Sequence, residues 1–347
     1  MAERRGREPG IDLARGLAVF GMFAAHVLVT APCFSWSDPG TWTAAVHGNS
    51  SILFATLAGV SLGLMTGGDR PHGRARLALD RRRIAARAAA IFALGVVLWM
   101  LPAPVYVILP AYGILFLLAL PLLGLRPALL AGIAAAVALV APFLVDAIDA
   151  SRFWVSDEGR VVSDLVGWHY PFLAWIAFVA AGLAIARFGT APSVGLAGIG
   201  LAAAGVSLVG FGVVARGAHL ALSADPHTTG VGEMLGSGGL AIAIVCACVF
   251  VCATPARWIL WPVRAVGSMP LTAYTAQLVA WSVWIWMQPE GVNPITGFQE
   301  ARPFWPMSLA TLVACSAWSL ALGRGPLERA VGAIALAAAP GGASRAR

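Results

Sequence analysis

The amino-acid sequence predicts an all-α fold: a polytopic membrane bundle of about ten transmembrane helices with the N-terminus and C-terminus both cytoplasmic. Three observations predict it. The 347 residues are 59% hydrophobic and only 11% charged, well under half the charge of an ordinary soluble domain, which leaves more apolar surface than a globule can bury. The apolar residues fall into long runs, each near the ~20 residues that a spanning helix needs. The 23 basic residues, all arginine, gather in alternate gaps between those runs, as the positive-inside rule requires.

The N-terminal Arg4, Arg5 and Arg7 followed by an apolar stretch mimic a secretory signal. The stretch outruns signal length and contains Asp12, Arg15 and His26, so it reads as the first span, 11–31. The second, 50–68, carries Ala55, Gly59, Gly63 and Gly67 at four-residue spacing. Small residues so spaced make a flat strip that lets a neighbouring backbone approach, within the bundle or, alternatively, in a homodimer. From Asp69 to Arg87 the chain reads as a strongly basic inner loop in which His72 is solvated. Such a loop attracts anionic lipid; a sharper alternative is a landing place for an anionic cytoplasmic donor such as a coenzyme A thioester. Spans 84–101 and 104–124 are separated at Leu101-Pro102-Ala103-Pro104, read as a tight hairpin because proline interrupts the helix. The remaining spans are 127–147, 170–187, 191–214, 231–253, 265–287 and 304–323.

With the N-terminus inside, only Arg152, Arg160, Arg216 and Arg302 fall outside. The formal charge of +7 is thus a topology signal and excludes a nucleic-acid partner. The largest outer segment, 148–169, holds Asp149, Asp157, Glu158 and Asp164 and is placed to cap a site; Trp36, Trp42, Trp154 and Trp168 read as an interfacial belt. Residues 1–330 form a single domain and 331–347 a disordered cytoplasmic tail. Cys246, Cys248, Cys252 and Cys315 lie in apolar runs and Cys33 stands alone in a loop, which gives neither a disulfide framework nor a metal site. There is no Walker motif, dinucleotide fingerprint or nucleophile elbow, so no bound cofactor is expected. No internal repeat supports an inverted-repeat transporter.

Charged groups inside a span cost about 2.5–3.5 kcal/mol each and face a partner or a wet cavity. Asp12 and Arg15 are one turn apart and can pair. His26 follows Arg15 by eleven residues, nearly three turns, which puts the two on one face about 16 Å apart along the axis. Imidazole suits proton transfer near neutral pH, and guanidinium suits a phosphate or carboxylate. His26, Arg15 and Asp12 are therefore the candidate catalytic residues. The bland alternative makes Asp12 and Arg15 an interfacial anchor and His26 a bundle hydrogen bond. Candidate substrate-binding residues are His47 and Asn49 before the second span, Tyr112 in the fourth, His169 at the start of the sixth, and Tyr274 and Gln277 in the ninth. His227, before an eighth span that carries Glu233, joins His26, His47 and His169 on the outer side, where four imidazoles can line a polar vestibule or be ordinary interfacial residues; His219 gets no role.

Several stretches together resemble a known group. Gly10-Ile11-Asp12-Leu13-Ala14-Arg15-Gly16-Leu17-Ala18 and Ser50-Ser51-Ile52-Leu53-Phe54-Ala55-Thr56-Leu57-Ala58-Gly59-Val60-Ser61 resemble the opening and second span of the YeiB-like and heparan-α-glucosaminide N-acetyltransferase-like membrane proteins. Gly267-Ser268-Met269-Pro270-Leu271-Thr272-Ala273-Tyr274 and Gly325-Pro326-Leu327-Glu328 are similar to the C-terminal block of the YeiB-like branch. Arg15, ten residues and His26 are similar to the Arg-x10-His motif of the related integral membrane acyltransferases. Gln277 stands where the ninth-span motif often has histidine, and His47-Gly48-Asn49 where Gly-Arg is usual. The resemblance implies an acyltransferase of the bacterial inner membrane. It would move an acyl group from an acyl-CoA-type co-substrate to a glycan or lipid of the cell envelope, with Arg15 and His26 as its working pair. A lipid or small-solute transporter and a non-enzymatic envelope partner are the alternatives.

Overall fold

In a computed structural model that describes residues 8–31, 34, 37–213 and 219–340, the chain is helical, with no strand among the described residues. Arg4, Arg5, Arg7, Cys33, Trp36, Arg216 and residues 341–347 of the expected tail lie outside the described residues. The helices are α1 (Pro9–Val27), α2 (Asn49–Met65), α3 (Arg74–Trp99), α4 (Leu109–Leu118), α5 (Pro127–Asp149), α6 (Arg152–Val155), α7 (Asp157–Val166), α8 (Phe172–Phe188), α9 (Val194–Val213), α10 (Val231–Cys252), α11 (Ala256–Ile259), α12 (Trp261–Gly267), α13 (Pro270–Trp286), α14 (Thr296–Glu300), α15 (Phe304–Ala321) and α16 (Pro326–Ala337).

Among these, α1, α5, α9, α10 and α15 are long and apolar enough to cross a bilayer, and α2 makes a sixth if joined to the 3-10 turn Pro39–Val46 across a 41° bend. The other expected spans differ in instructive ways. The segment read as a basic loop is helical from Arg74, because its run of Arg, Ala and Leu consists of strong helix formers. The 26 residues of α3 extend about 39 Å, beyond what a bilayer core needs. His72 is not merely solvated: its Nδ1 lies 2.6 Å from Oδ2 of the buried Asp80, which Arg76 also approaches at 3.6 Å. The fourth span shortens to α4 plus a 3-10 turn, Leu120–Gly124, with Pro121 at its start. The ninth is broken at Ser268-Met269, where Pro270 has no N–H to continue the ladder of α12.

The tail boundary at residue 330 falls inside α16. Val331 and Ala335 are buried, and Ala339 accepts hydrogen bonds from Arg83 Nε and Nη2 at 3.2 and 2.9 Å. A guanidinium on the last carbonyls of a helix satisfies groups that have no helical partner. Residues 331–340 are thus part of the bundle.

The most buried of the candidate spans is α1, which packs against α2, α10, α12, α13 and α15. The small-residue strip of α2 is taken up within the chain. A β-carbon on Gly59 would sit 2.0 Å from the Val179 carbonyl oxygen of α8, and one on Gly63 2.3 Å from the Ala186 Cβ. Gly67 lies against its own turn, at the Arg70 oxygen and His72. The strip therefore joins α2 to α8, and the alternative of a homodimer through Ala55, Gly59, Gly63 and Gly67 finds that face already covered.

One buried arginine ties three segments together near the far end of this seam. Arg187 of α8 donates to Gly63 O (2.9 Å), Gly68 O (2.6 Å), Thr66 Oγ1 (2.6 Å) and Leu123 O (2.7 Å). Arg187→Met removes every one of these bonds and takes the guanidinium donor from the Gly68 and Leu123 carbonyls, so we expect a loss of about 2–3 kcal/mol, read as a lower unfolding midpoint in detergent. Arg187→Lys should recover only part, since an ammonium lacks the planar fork.

Candidate functional site

A cavity of about 500 Å³ opens between α1, α2, α3, α4, α13 and α16. Its walls are mainly apolar, including Met22, Phe54, Leu57, Ile91, Phe116 and Val331. Its polar groups come from distant parts of the chain: Glu8, Asp12 and Arg15 on or before α1, Ser61 on α2, Arg87 on α3, Tyr112 on α4, Ser268 and Tyr274 at and beyond the break before α13, and Glu328 on α16.

Close backbone approach fixes the α1 side. A β-carbon on Gly267 would lie 1.8 Å from Asp12 O, and one on Gly16 2.2 Å from Val263 O. The two sequence stretches Gly10–Ala18 and Gly267–Tyr274 therefore meet backbone to backbone, and the Asp12–Arg15 turn stands at their contact. Asp12 Oδ1 accepts from Arg15 Nη1 at 2.7 Å, and Arg15 Nη2 donates to Ser61 Oγ at 2.9 Å. The guanidinium is thus steered by a carboxylate of its own helix and a hydroxyl of α2. The C-terminal motif closes another wall. Glu328 Oε1 accepts from the N–H groups of Leu271 (2.8 Å) and Thr272 (3.1 Å), and Oε2 from the Thr272 hydroxyl (2.6 Å). A carboxylate on the first N–H groups of α13 satisfies them and suits the helix dipole.

Two tyrosines face the cavity. Tyr112 donates to Ser51 O at 3.1 Å. The Tyr274 hydroxyl is buried beside the Ile108 backbone. One turn past Tyr274 comes Gln277, whose Nε2 lies 3.2 Å from His26 Nδ1. His26 is half-buried and does not line the cavity; it follows Met22, which does, by one turn of α1. Arg15, Met22 and His26 form one stripe on a continuous helix. Arg15 is directed to α2 and His26 to α13, so neither is a lipid-facing group.

Beyond this seam the sequence-expected vestibule divides. The His47 and His227 rings meet edge-to-face at 5.8 Å, and His227 lies within electrostatic reach of His26. The turn that carries His227 is held by Glu233, which is buried and accepts from the His227 and Thr229 N–H groups at 2.7 Å each. Both of those residues have positive φ, 65° and 55°. Asn49 Nδ2 donates to Ala45 O at 3.0 Å, and its Oδ1 is buried without a partner. His169 stands apart: it stacks on Tyr106 at 3.4 Å and lies 3.0 Å from Asp164 Oδ1. The 148–169 segment forms α6 and α7, with Trp154 stacked on the buried Trp168, whose Nε1 donates to Asp149. None of its residues lines the cavity, and Trp168 packs against Trp154 and Phe172.

Ser61, Arg87 and Glu328 went unassigned in the sequence. Ser61 and Glu328 end two of the quoted motifs, which is the only signal that marks them; Arg87 was hidden in a basic run. Among the described residues no group of three or more His, Cys, Asp or Glu side chains could hold a metal ion.

Residues 7–214, reaching from α1 to the end of α9, match the family model described as heparan-alpha-glucosaminide N-acetyltransferase, catalytic. Among curated proteins none matches the chain.

Proposed function

The chain belongs to the heparan-α-glucosaminide N-acetyltransferase catalytic family, and from that premise we propose that it is a multi-pass acyltransferase of the bacterial inner membrane. It takes an acyl group from a cytoplasmic acyl-CoA-type donor and passes it to a glycan or lipid of the cell envelope. The observation that supports this most is the arrangement on α1: Arg15 projects into a largely apolar cavity, and His26 stands on the same stripe just beyond the cavity's far end. The ten-span topology with both termini inside belongs to this proposal, since it places the Arg15 end toward the donor and the His26 end toward the acceptor.

In the reaction, the acceptor hydroxyl or amine loses its proton to His26 and attacks the thioester carbonyl. The carbon–sulfur bond breaks, an ester or amide forms, and the proton passes to the departing thiolate. His26 can alternatively carry the acyl group for one step. Arg15, steered by Asp12 and Ser61, holds the donor's anionic part. Tyr112 and Tyr274 line the passage, and His47 and Asn49 complete its far side near His227. His169 has no direct part, because its ring is spent on Tyr106 and Asp164.

The test mixes purified protein, a labelled acyl-CoA and envelope glycans. Label is expected in the glycan fraction only when both donor and acceptor are present. If no label moves, and vesicles carrying the protein import intact glycan with no donor present, a transporter replaces the enzyme.

A further inference from the structure

The cavity holds two guanidinium groups, and they differ. Arg15 is steered by Asp12 and Ser61. Arg87 lines the same cavity from α3, its Nε is buried without a partner, and among the described residues it makes no hydrogen bond or ion pair. Of the three carboxylates on the cavity wall, Asp12 is committed to Arg15 and both oxygens of Glu328 to the start of α13, while Glu8 is exposed. Glu328 and Arg324 act on Arg87 only through space. Four residues earlier Arg83 fastens the end of α16, so Arg87 is presented at a fixed height opposite Glu328. A partly buried cation without a partner is costly; a cavity that keeps one is built for an anion.

We propose that Arg87 is a second anion-binding residue of this cavity, beside Arg15, and grips a phosphate of the acyl donor. This rests on the acyltransferase reading and adds to it the group that distinguishes a phosphorylated donor from any other thioester. A planar fork of N–H donors matches a phosphate's oxygens in pairs, which an ammonium cannot do. The rest of such a donor, a long and mostly apolar arm ending in the thioester, would lie along the Leu57, Ile91 and Phe116 wall toward Tyr112 and Tyr274.

The test uses the full chain in neutral detergent, with calorimetric binding of coenzyme A and, in parallel, of phosphate-free S-acetyl-pantetheine. For Arg87→Gln, coenzyme A affinity is expected to fall about 10–100-fold, and KM for acetyl-coenzyme A to rise likewise with kcat little changed. Binding of S-acetyl-pantetheine should not move, and Arg87→Lys should recover part of the loss. Thermal midpoints checked on each variant separate this from unfolding. If wild type and Arg87→Gln bind coenzyme A equally, the assignment is overturned while the enzyme reading stands. Equal losses for coenzyme A and S-acetyl-pantetheine make Arg87 structural and overturn it too. Loss of phosphatidylglycerol binding in nanodiscs, with coenzyme A unaffected, gives the phosphate to a lipid headgroup and overturns the donor assignment. Wild type that binds no coenzyme A sinks this assignment together with the donor reading beneath it.

Discussion

His26→Ala is expected to lower acyl transfer by about 10²–10⁴-fold, the range spanned by positioned general acids and bases, while the protein still inserts and melts as wild type does. The reason lies in how Gln277 holds the ring. In the structure the amide nitrogen faces His26 Nδ1 at 3.2 Å, which leaves Gln277 Oε1 buried and unpartnered. With its two ends exchanged, the amide accepts from Nδ1–H instead, and Nε2 then presents its lone pair, as a base must. The exchanged amide is the orientation that a base at Nε2 requires, since it fixes the proton on Nδ1. Gln277→Glu, which can only accept when ionised, should therefore keep most of the activity, and Gln277→Leu should lose much of it through kcat rather than KM. A His26→Ala protein that transfers label as fast as wild type would remove the imidazole from the chemistry.

The helical bundle and the polar stripe on α1 are legible in the sequence because both rest on local signals. Long apolar runs give the helices long and apolar enough to cross a bilayer, and the spacing of Arg15 and His26 gives one stripe on α1. What the sequence does not carry is which helix meets which. Ser61 reaches Arg15 across 46 residues, and Glu328 reaches Leu271 across 57. No periodicity announces such pairs; only the resemblance marked their segments. One reading is overturned and another is only completed by the structure. Arginine density at 74–83 suggests a loop, but arginine is a strong helix former and its density says only which side of the membrane it prefers. The small-residue strip on α2 gave a close contact but not its partner, which is α8 of the same chain. Outer-side membership grouped four histidines, yet side and proximity are different properties, and His169 went to Tyr106.

Gly267→Ala should abolish both the folded bundle's normal stability and transfer, a large effect for one methyl group. Its β-carbon would lie 1.8 Å from Asp12 O and 2.5 Å from Gly16 N, so backbone must move rather than a side chain. Overpacking a core typically costs about 1–3 kcal/mol and more where no rotamer can yield. The displaced backbone is the turn that bears Asp12 and Arg15, so the ion pair and its reach to Ser61 shift with it. A misplacement of about 1 Å costs on the order of 100-fold in rate. Gly198→Ala and Gly205→Ala provide the contrast, since nothing lies within 4 Å of either added carbon; they should melt and transfer as wild type, or slightly better, because alanine is the stronger helix former. Gly59→Leu, against the Val179 carbonyl, should behave like Gly267→Ala and lose the monomer's fold, not merely an oligomer. Melting curves on the four proteins decide the matter. If Gly267→Ala melts with Gly198→Ala and retains transfer, α1 and α12 do not meet as described, and Arg15 loses the contact that positions it.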